Sequence, residues 1–355
     1  MAIPKTISWS ADNLDGPSLL KAMSVVVPEA LGGTKPVVAT VLTLGLYVKG
    51  ASSPNWALMA QELGKNHPCR ILVINPASPS GAARVDVTIS ATIAERPGAE
   101  TPILFSECIE MNLKGSLSNH WIDFLQPLVR SGLPAYLWWL GRPPDPDFRW
   151  DLLSASGFTH LVLNTADHDW REWLPSLKNA IAHQMRVDDL SWQRFRDLRH
   201  HWAQLADTPE ILKILVHVQS IEISLLDPAC ADWVWWLAWL ASRFGWSLVF
   251  NAEQIPVELE TDLGPVPIHL RSGPATTFEA TWKEFRVSTT ITSTELHSSV
   301  YQGHTRVSNV SEHRVSSTVQ EDLQHLLNRG HDMLFSSALI RLLDAQESQG
   351  GLTDA

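Results

Sequence analysis

Residues 233–240 read Trp-Val-Trp-Trp-Leu-Ala-Trp-Leu, which puts Trp233, Trp235, Trp236 and Trp239 on one helical segment. At about 100° per residue the four indoles spread over roughly 160° of the circumference. Val234, Leu237, Ala238 and Ala241 fill the remainder. A helix that is apolar nearly all round must be sandwiched between layers or half-buried in a partner. The composition repeats the signal, with 16 Trp against 3 Tyr and 10 Phe. Indole covers much area at small rotamer cost, which suits cores and protein interfaces better than small polar sites. From sequence alone both fates stay open: a sealed core helix, or exposed indole that docks a protein.

At 355 residues the chain has room for about two domains. It is 45% hydrophobic and 18% charged, a globular balance that excludes wholesale disorder. The formal charge is 27 − 38 = −11, and residues 181–355 carry most of it, with 13 basic and 22 acidic groups. Phosphate-backbone binding needs a basic surface, so nucleic acid is not an expected partner. Three cysteines without a C-x-x-C pair exclude a disulfide framework and a zinc knuckle. The start, MAIPKTISWS, lacks the basic and apolar regions of a signal peptide. The longest uncharged apolar stretches, 36–48 and 233–241, fall short of the roughly 20 residues that span a bilayer. A cytoplasmic protein with no membrane partner is expected.

The hydrophobic pattern predicts an α/β fold with mixed sheets. Buried strands are expected at 36–49, 71–74, 135–140 and 160–165, and alternating strands at 84–95 and 106–115. Ser53-Pro54 opens a helix that ends at Gly64, and Ser118 caps one that stops at Gly132. The order strand–helix–strand–strand–strand–helix then recurs: ILKILVHVQSIEIS (211–224) reads as strand, Asp227-Pro228 opens the tryptophan helix, and 246–251 and 266–270 are strands. A polar alternating stretch covers 282–318, and a helix runs from Val319 to Arg329. The pattern implies two related units, 1–165 and 208–343, joined by a helical connector at 166–207, with a frayed tail at 344–355.

No reactive constellation stands out. There is no G-x-x-x-x-G-K-[ST], no G-x-G-x-x-G after a strand, no G-x-S-x-G and no H-E-x-x-H. His200-His201 would point about 100° apart on a helix and are badly placed to chelate one ion. No catalytic, cofactor-binding or metal-binding residue is therefore assigned. Cys230, in the first turn of the tryptophan helix, and Cys69, beside Arg70, are the thiols best placed for a redox role. Cys108 reads as a small hydrophobe in a strand, and inert packing remains the competing reading for all three.

Three segments carry a family resemblance. His67-Pro68-Cys69-Arg70-Ile71-Leu72-Val73-Ile74, Gly132-Leu133-Pro134-Ala135-Tyr136-Leu137-Trp138-Trp139 and Leu237-Ala238-Trp239-Leu240-Ala241-Ser242-Arg243 resemble, in that order, motifs of the OpcA proteins, the glucose-6-phosphate dehydrogenase assembly proteins. Ser191-Trp192-Gln193-Arg194 matches a fourth family segment only at its Trp and Arg. The resemblance implies a protein that is not an enzyme. It would bind glucose-6-phosphate dehydrogenase as an allosteric activator in the oxidative pentose phosphate pathway, with thioredoxin-linked redox control. Trp138, Trp139, Trp192 and Arg194 are the expected partner-binding anchors, and the ribbon 282–318 offers an alternative docking edge. The alternative class is a sugar-phosphate-binding α/β enzyme or sensor drawing on Arg70, Arg84 and Arg142, which stand at no phosphate-binding spacing.

Overall fold

The computed structural model describes residues 3–31, 33–49, 56–77, 79–95, 101–145, 147–165, 169–226, 232–251, 255–314, 318–329 and 332–350. The chain divides into two units. The first is Met1–Leu163 with Pro175–Val187, and the second is Asn164–Leu174 with Asp188–Ala355. The stretch 166–207 is thus no separate connector, because its residues are shared between the two units.

Unit 1 comprises β1 (Ile3–Ala11), α1 (Gly16–Ala30), β2 (Val37–Val38), β3 (Leu42–Tyr47), α2 (Trp56–Asn66), β4 (Cys69–Pro76), β5 (Arg84–Glu95), β6 (Ile103–Lys114), α3 (Trp121–Leu125), β7 (Ala135–Trp139), α4 (Trp150–Ala155) and β8 (His160–Leu163). The helix α5 (Trp170–Ala182) and the strand β9 (Arg186–Asp189) follow, each crossing a unit boundary. The sheet order is β1-β5-β6-β4-β3-β7-β8-β9, with β2 on β6. The run β6-β4-β3-β7-β8 is parallel throughout. Counting from β3, and leaving out the antiparallel β5, the spatial order is third, second, first, fourth, fifth, sixth. That is the order of the doubly wound dinucleotide-binding sheet. Strands covered on both faces need side chains that are apolar in both directions. Residues 71–74 within β4 and the whole of β7 therefore read as continuous apolar runs, and β3 departs from one only at Thr43. Gly45 in β3 is required by packing: a Cβ there would lie 2.8 Å from Phe158 Cζ and 2.9 Å from Leu137 Cδ1. Gly45→Ala is therefore expected to cost about 1–3 kcal/mol of overpacking strain, read as a lower urea midpoint.

Unit 2 comprises α6 (Leu190–Arg194), α7 (Arg196–Ala206), α8 (Pro209–Val216), β10 (Ser220–Leu225), α9 (Asp232–Phe244), β11 (Ser247–Phe250), β12 (Pro256–Thr261), β13 (Gly264–Ser272), β14 (Thr276–Trp282), β15 (Phe285–Ile291), β16 (Glu295–Gln302), β17 (Thr305–His313), α10 (Val319–Arg329) and α11 (Met333–Gly350). Its sheet runs β11-β12-β13-β10-β14-β15-β16-β17. Among the described residues of this sheet, β10 and β13 pair in parallel and the other pairs are antiparallel. Along β14–β16 one face is buried through Phe278, Ala280, Val287, Leu296 and Val300. The opposite face is half-exposed and polar, laced by Glu279 with Ser288 (2.8 Å) and by Ser299 with Asn309 (3.0 Å).

Mixed α/β architecture is as the pattern predicts, but the two units are not repeats in their pairing. In unit 1 the first strand and the strand after its helix, β3 and β4, are parallel neighbours. In unit 2 the corresponding β10 and β11 are separated by β12 and β13. Residues 211–216 are helical, with Pro209 in the first turn, and only 220–225 form the strand. The chain from 344 to 350 continues α11, so that part of the expected tail is ordered helix, and 351–355 lie outside the described residues. The four tryptophans of α9 are all buried, so the core fate holds for that helix. No helix among the described residues is long and apolar enough to cross a membrane.

Candidate functional site

In a doubly wound sheet ligands bind outside the carboxyl ends of the strands, where the winding reverses. In unit 1 that point lies between β3 and β7, and a cleft of about 780 Å³ opens there, lined by Tyr47, Lys49, Trp121, Trp139, Arg142 and Phe148 among others. Its floor is an aromatic stack. Tyr47 lies on Trp139 at 4.0 Å between centroids, Trp121 stands 5.0 Å from Tyr47, and Phe148 meets Trp139 edge-on at 5.2 Å. The Trp139 indole N–H donates to Arg142 O at 2.8 Å, which fixes the ring against the Pro-rich loop. Burial, with Asp145 close by, pushes the Tyr47 hydroxyl up to about 12, so it stays protonated at neutral pH.

A dinucleotide does not fit this site. The segment after β3 reads Lys-Gly-Ala-Ser-Ser-Pro, without the three glycines that let a pyrophosphate approach the backbone. The second parallel strand ends at Asn75-Pro76, with Asn75 donating to Asn112, where an acid would hold the ribose. Among the described residues no group of three or more His, Cys, Asp or Glu could hold a metal.

The sequence-expected anchors are mostly interior. Trp138 and Trp139 are buried on β7 and cannot present a broad outward surface, although an edge of Trp139 reaches the cleft. Trp192 is 0% exposed. Its N–H donates to Asp332 Oδ2 at 2.8 Å, and the Arg199 guanidinium lies 3.5 Å over its ring while donating to Trp192 O. Arg194 donates to Asn164 Oδ1 and stands 3.8 Å from Asp322. The expectation that Trp138, Trp139 and Trp192 dock a partner is thus corrected: an aromatic run does not reveal which side of a sheet or helix faces out, and these indoles hold the interior. Trp235 is tied into the same unit, because its N–H donates to Thr165 Oγ1, which donates to the buried Asp189 carboxylate at 2.6 Å. Asp189 also caps α6 through Ser191 N–H.

The thiol expectation is corrected in part. Cys69 is 1% exposed, and burial pushes its pKa up to about 12. Cys108, two residues further along the neighbouring strand register, is also raised by burial. The adjacent Arg70 does not activate Cys69, because its guanidinium donates to Glu107 at 2.7 and 2.9 Å and to Leu128 O at 2.9 Å. Raised in this way, the Cys69 thiol stays protonated at neutral pH. Cys69 and Cys108 are expected to resist a thiol reagent in the native chain and to react fully in guanidinium. Cys230 lies outside the described residues.

The three arginines of the sugar-phosphate alternative do not converge. Arg70 is spent on Glu107, Arg84 pairs with Asp86 at 2.5 Å, and Arg142 stands exposed on the cleft rim.

Within the ribbon 282–318, one surface feature was not singled out from the sequence. The β14–β15 hairpin turns on Lys283 and Glu284, flanked by Trp282 and Phe285, whose half-buried rings stack at 5.9 Å. Lys283 and Lys213 lie 4.9 and 5.3 Å from the Trp282 ring, and Leu212 and Val216 are exposed on α8. The legible signal was a Trp-Lys-Glu-Phe tip within a polar ribbon, in the acidic half of the chain. It is an aromatic pair with two lysines beside it, and aromatic side chains are enriched in protein contacts.

These features define the class: a doubly wound α/β unit with an aromatic-floored crossover cleft, followed by a unit of mostly antiparallel sheet with one open polar face. Two family models match, over residues 60–163 and 185–339, described as glucose-6-phosphate dehydrogenase subunit N-terminal domain and C-terminal domain. The chain belongs to this OpcA family. Among curated proteins it is similar to the putative OxPP cycle protein OpcA of Synechococcus elongatus, 23% identical over 216 residues, covering 58% of this chain and 48% of that protein. The protein of the same description from Nostoc punctiforme is 22% identical over 191 residues, covering 54% and 41%. The chain thus spans about half the length of the curated relatives it matches. Solved structures similar to it include biliverdin reductase from Synechocystis sp. (TM-score 0.44, 7% identity, 87% of this chain and 98% of that one). Another is Gal80p from Saccharomyces cerevisiae (0.45, 10%, 89% and 95%). Likenesses this remote say nothing of activity.

Proposed function

We propose that this chain is a non-catalytic partner of glucose-6-phosphate dehydrogenase that favours the enzyme's active assembly in the oxidative pentose phosphate pathway, in the cytoplasm. The observation that carries the reading is the family match across both units, since both domains are described as belonging to a subunit of that enzyme. To activate, the chain must bind the active enzyme state more tightly than the inactive one, because equal affinity shifts nothing. A coupling of about 1–3 kcal/mol changes apparent substrate affinity roughly 5–150-fold. The contact surface in this proposal is the Trp282–Phe285 tip with the open polar face behind it, in place of the interior tryptophans. Of the expected anchors Arg194 keeps a supporting part, as a partly exposed guanidinium.

The test is to mix the purified chain with the dehydrogenase, measuring rate and mass together. Co-migration and a lowered KM support the proposal; no complex and no kinetic change reject it. Trp282→Ala is expected to weaken binding by about tenfold or more while the fold stays intact. Thioredoxin control would act by cleaving a disulfide to two thiols, and with Cys69 and Cys108 buried the sulfur opposite Cys230 would belong to another chain. Cys230→Ser should abolish any change in activation on reduction, and Cys69→Ser should not.

The cleft on unit 1 favours one second reading, a sugar-phosphate sensor with Arg142 and Lys49 on its rim. Hexose phosphates alone would then raise the melting temperature, and Arg142→Ala would remove that rise.

A further inference from the structure

α10 packs on α6, and its Leu323 and Leu326 are sealed inside. Three polar ties accompany that packing. Asp322 stands 3.8 Å from the Arg194 guanidinium of α6. His325 Nε2 lies 2.9 Å from Nη1 of Arg196, the first residue of α7. Just beyond α10, Asp332 accepts from the Trp192 indole at 2.8 Å. The middle tie is the one that a proton can break.

A guanidinium has hydrogens to give and no acceptor of its own. Across the 2.9 Å contact Arg196 must therefore donate, and Nε2 must be the bare nitrogen of a neutral imidazole. A proton on Nε2 removes the acceptor and leaves two cations face to face. The acids around the half-buried ring are already engaged. Asp197, beside Arg196 on α7, lies 3.3 Å from that guanidinium. Asp332 takes the Trp192 indole and also caps α11 through the Leu334 and Phe335 N–H groups, at 2.9 and 3.2 Å. Glu321, one turn back on α10, accepts from the Thr318 N–H at 2.7 Å and from its hydroxyl at 3.0 Å. Arg329, one turn further on, adds a second positive charge. Burial, then Arg196 and Arg329, hold the His325 pKa below the ordinary histidine value, against the opposite pull of Asp197 and Asp332. A histidine depressed in the docked helix and ordinary once released favours docking fully above about pH 6.5. That contribution is lost as the pH falls through the lower, docked value.

We propose that His325 is an acid-sensitive latch, whose protonation breaks the bond to Arg196, frees α10 from α6 and α7 and bares Leu323 and Leu326. The latch joins helix to helix and includes no strand, so the release is local and both sheets stay folded. It is a property of the chain alone and holds whichever enzyme the chain assists.

Amide exchange of the full chain at pH 7.5 and pH 5.5, with the intrinsic rates divided out, tests it. Protection at residues 324–327 of α10 should fall at least about threefold at the lower pH, the factor that half a pKa unit carries. Protection at Leu237 and Ala238 in α9 should hold. His325→Gln keeps an acceptor for Arg196 and never gains a proton, so its α10 should be equally protected at both pH values. Should that variant pack badly, the wild-type ring still reports: its resonances should titrate below about pH 6.5, and Arg196→Met should move that titration upward. A His325 ring that titrates at or above the ordinary value overturns the proposal. Equal protection of wild-type α10 at the two pH values does so as well. An acid-induced loss that persists in His325→Gln also rejects it, and would move the effect to another group such as His201.

Discussion

Replacing Glu107 by alanine is expected to lower stability by about 3–5 kcal/mol, because it leaves a buried guanidinium without its counter-ion. Arg70 and Glu107 face each other across β4 and β6, with side chains 10% and 7% exposed, and Arg130 stands 3.6 Å from the same carboxylate. Burial and the neighbouring Arg70 already pull the Arg130 pKa down, a sign that two cations share one acid. Removing the acid sets them against each other in a poorly solvated place. The measurement is urea unfolding with an unchanged m-value. The paired replacement Arg70→Met with Glu107→Leu should recover most of the loss, since well-packed apolar side chains commonly substitute for a buried ion pair. If Glu107→Ala alone were neutral, the geometry of this pair would contribute nothing to the fold. The arginine of the His-Pro-Cys-Arg segment is thus a fastener between two strands and the end of the following helical region, which its bond to Leu128 O completes.

Trp192→Ala is expected to be comparably damaging, at about 3–5 kcal/mol. The change opens an indole-sized void, removes the ring under Arg199 and leaves Asp332 without its indole donor. Arg199 is itself buried, with its pKa drawn down by that burial, so its stacking and its bond to Trp192 O are most of what keeps it there. Trp192→Phe should lose less, because a ring remains beneath the guanidinium. The comparison also separates two roles. A docking anchor would lose partner affinity at unchanged stability, whereas an interior brace loses stability and, where still folded, binds normally.

Much of the architecture was legible in the amino-acid order. The parallel strands announce themselves as uninterrupted apolar runs at 71–74, 135–139 and 161–163, since only side chains buried on both faces are apolar in every position. The ribbon from 282 onward alternates, because one face is buried and the other is wet. The segment 211–216 misled for the opposite reason: Ile-Leu-Lys-Ile-Leu-Val is apolar at both helical and strand spacing, and periodicity cannot arbitrate so short a run. Pro209, set for a helix first turn, was the better clue. β1 and α1 were not anticipated at all. Asp15 caps α1 through Ser18 N–H, but Pro28 near its end and the absence of acidic residues in its first turn weaken the pattern. The candidate site was the least legible part. Neighbouring aromatic letters at 138–139 draw the eye, while the half-buried pair at 282 and 285 is separated by a turn and becomes a patch only when the hairpin closes.

The chain passes between its two units three times, after Leu163, Leu174 and Val187. A single cut can therefore never release either half whole. A fragment ending at 163 would lack the residues that complete its own sheet beyond β8, and one starting at 188 would lack Asn164–Leu174, which carries the Thr165 hydroxyl on which both Trp235 and Asp189 rely. On the ribosome the first sheet must wait, one strand short, until roughly two dozen further residues have emerged. Dissection at domain borders would yield two incomplete pieces, and co-expression of complementary fragments is the natural route to recovering either one.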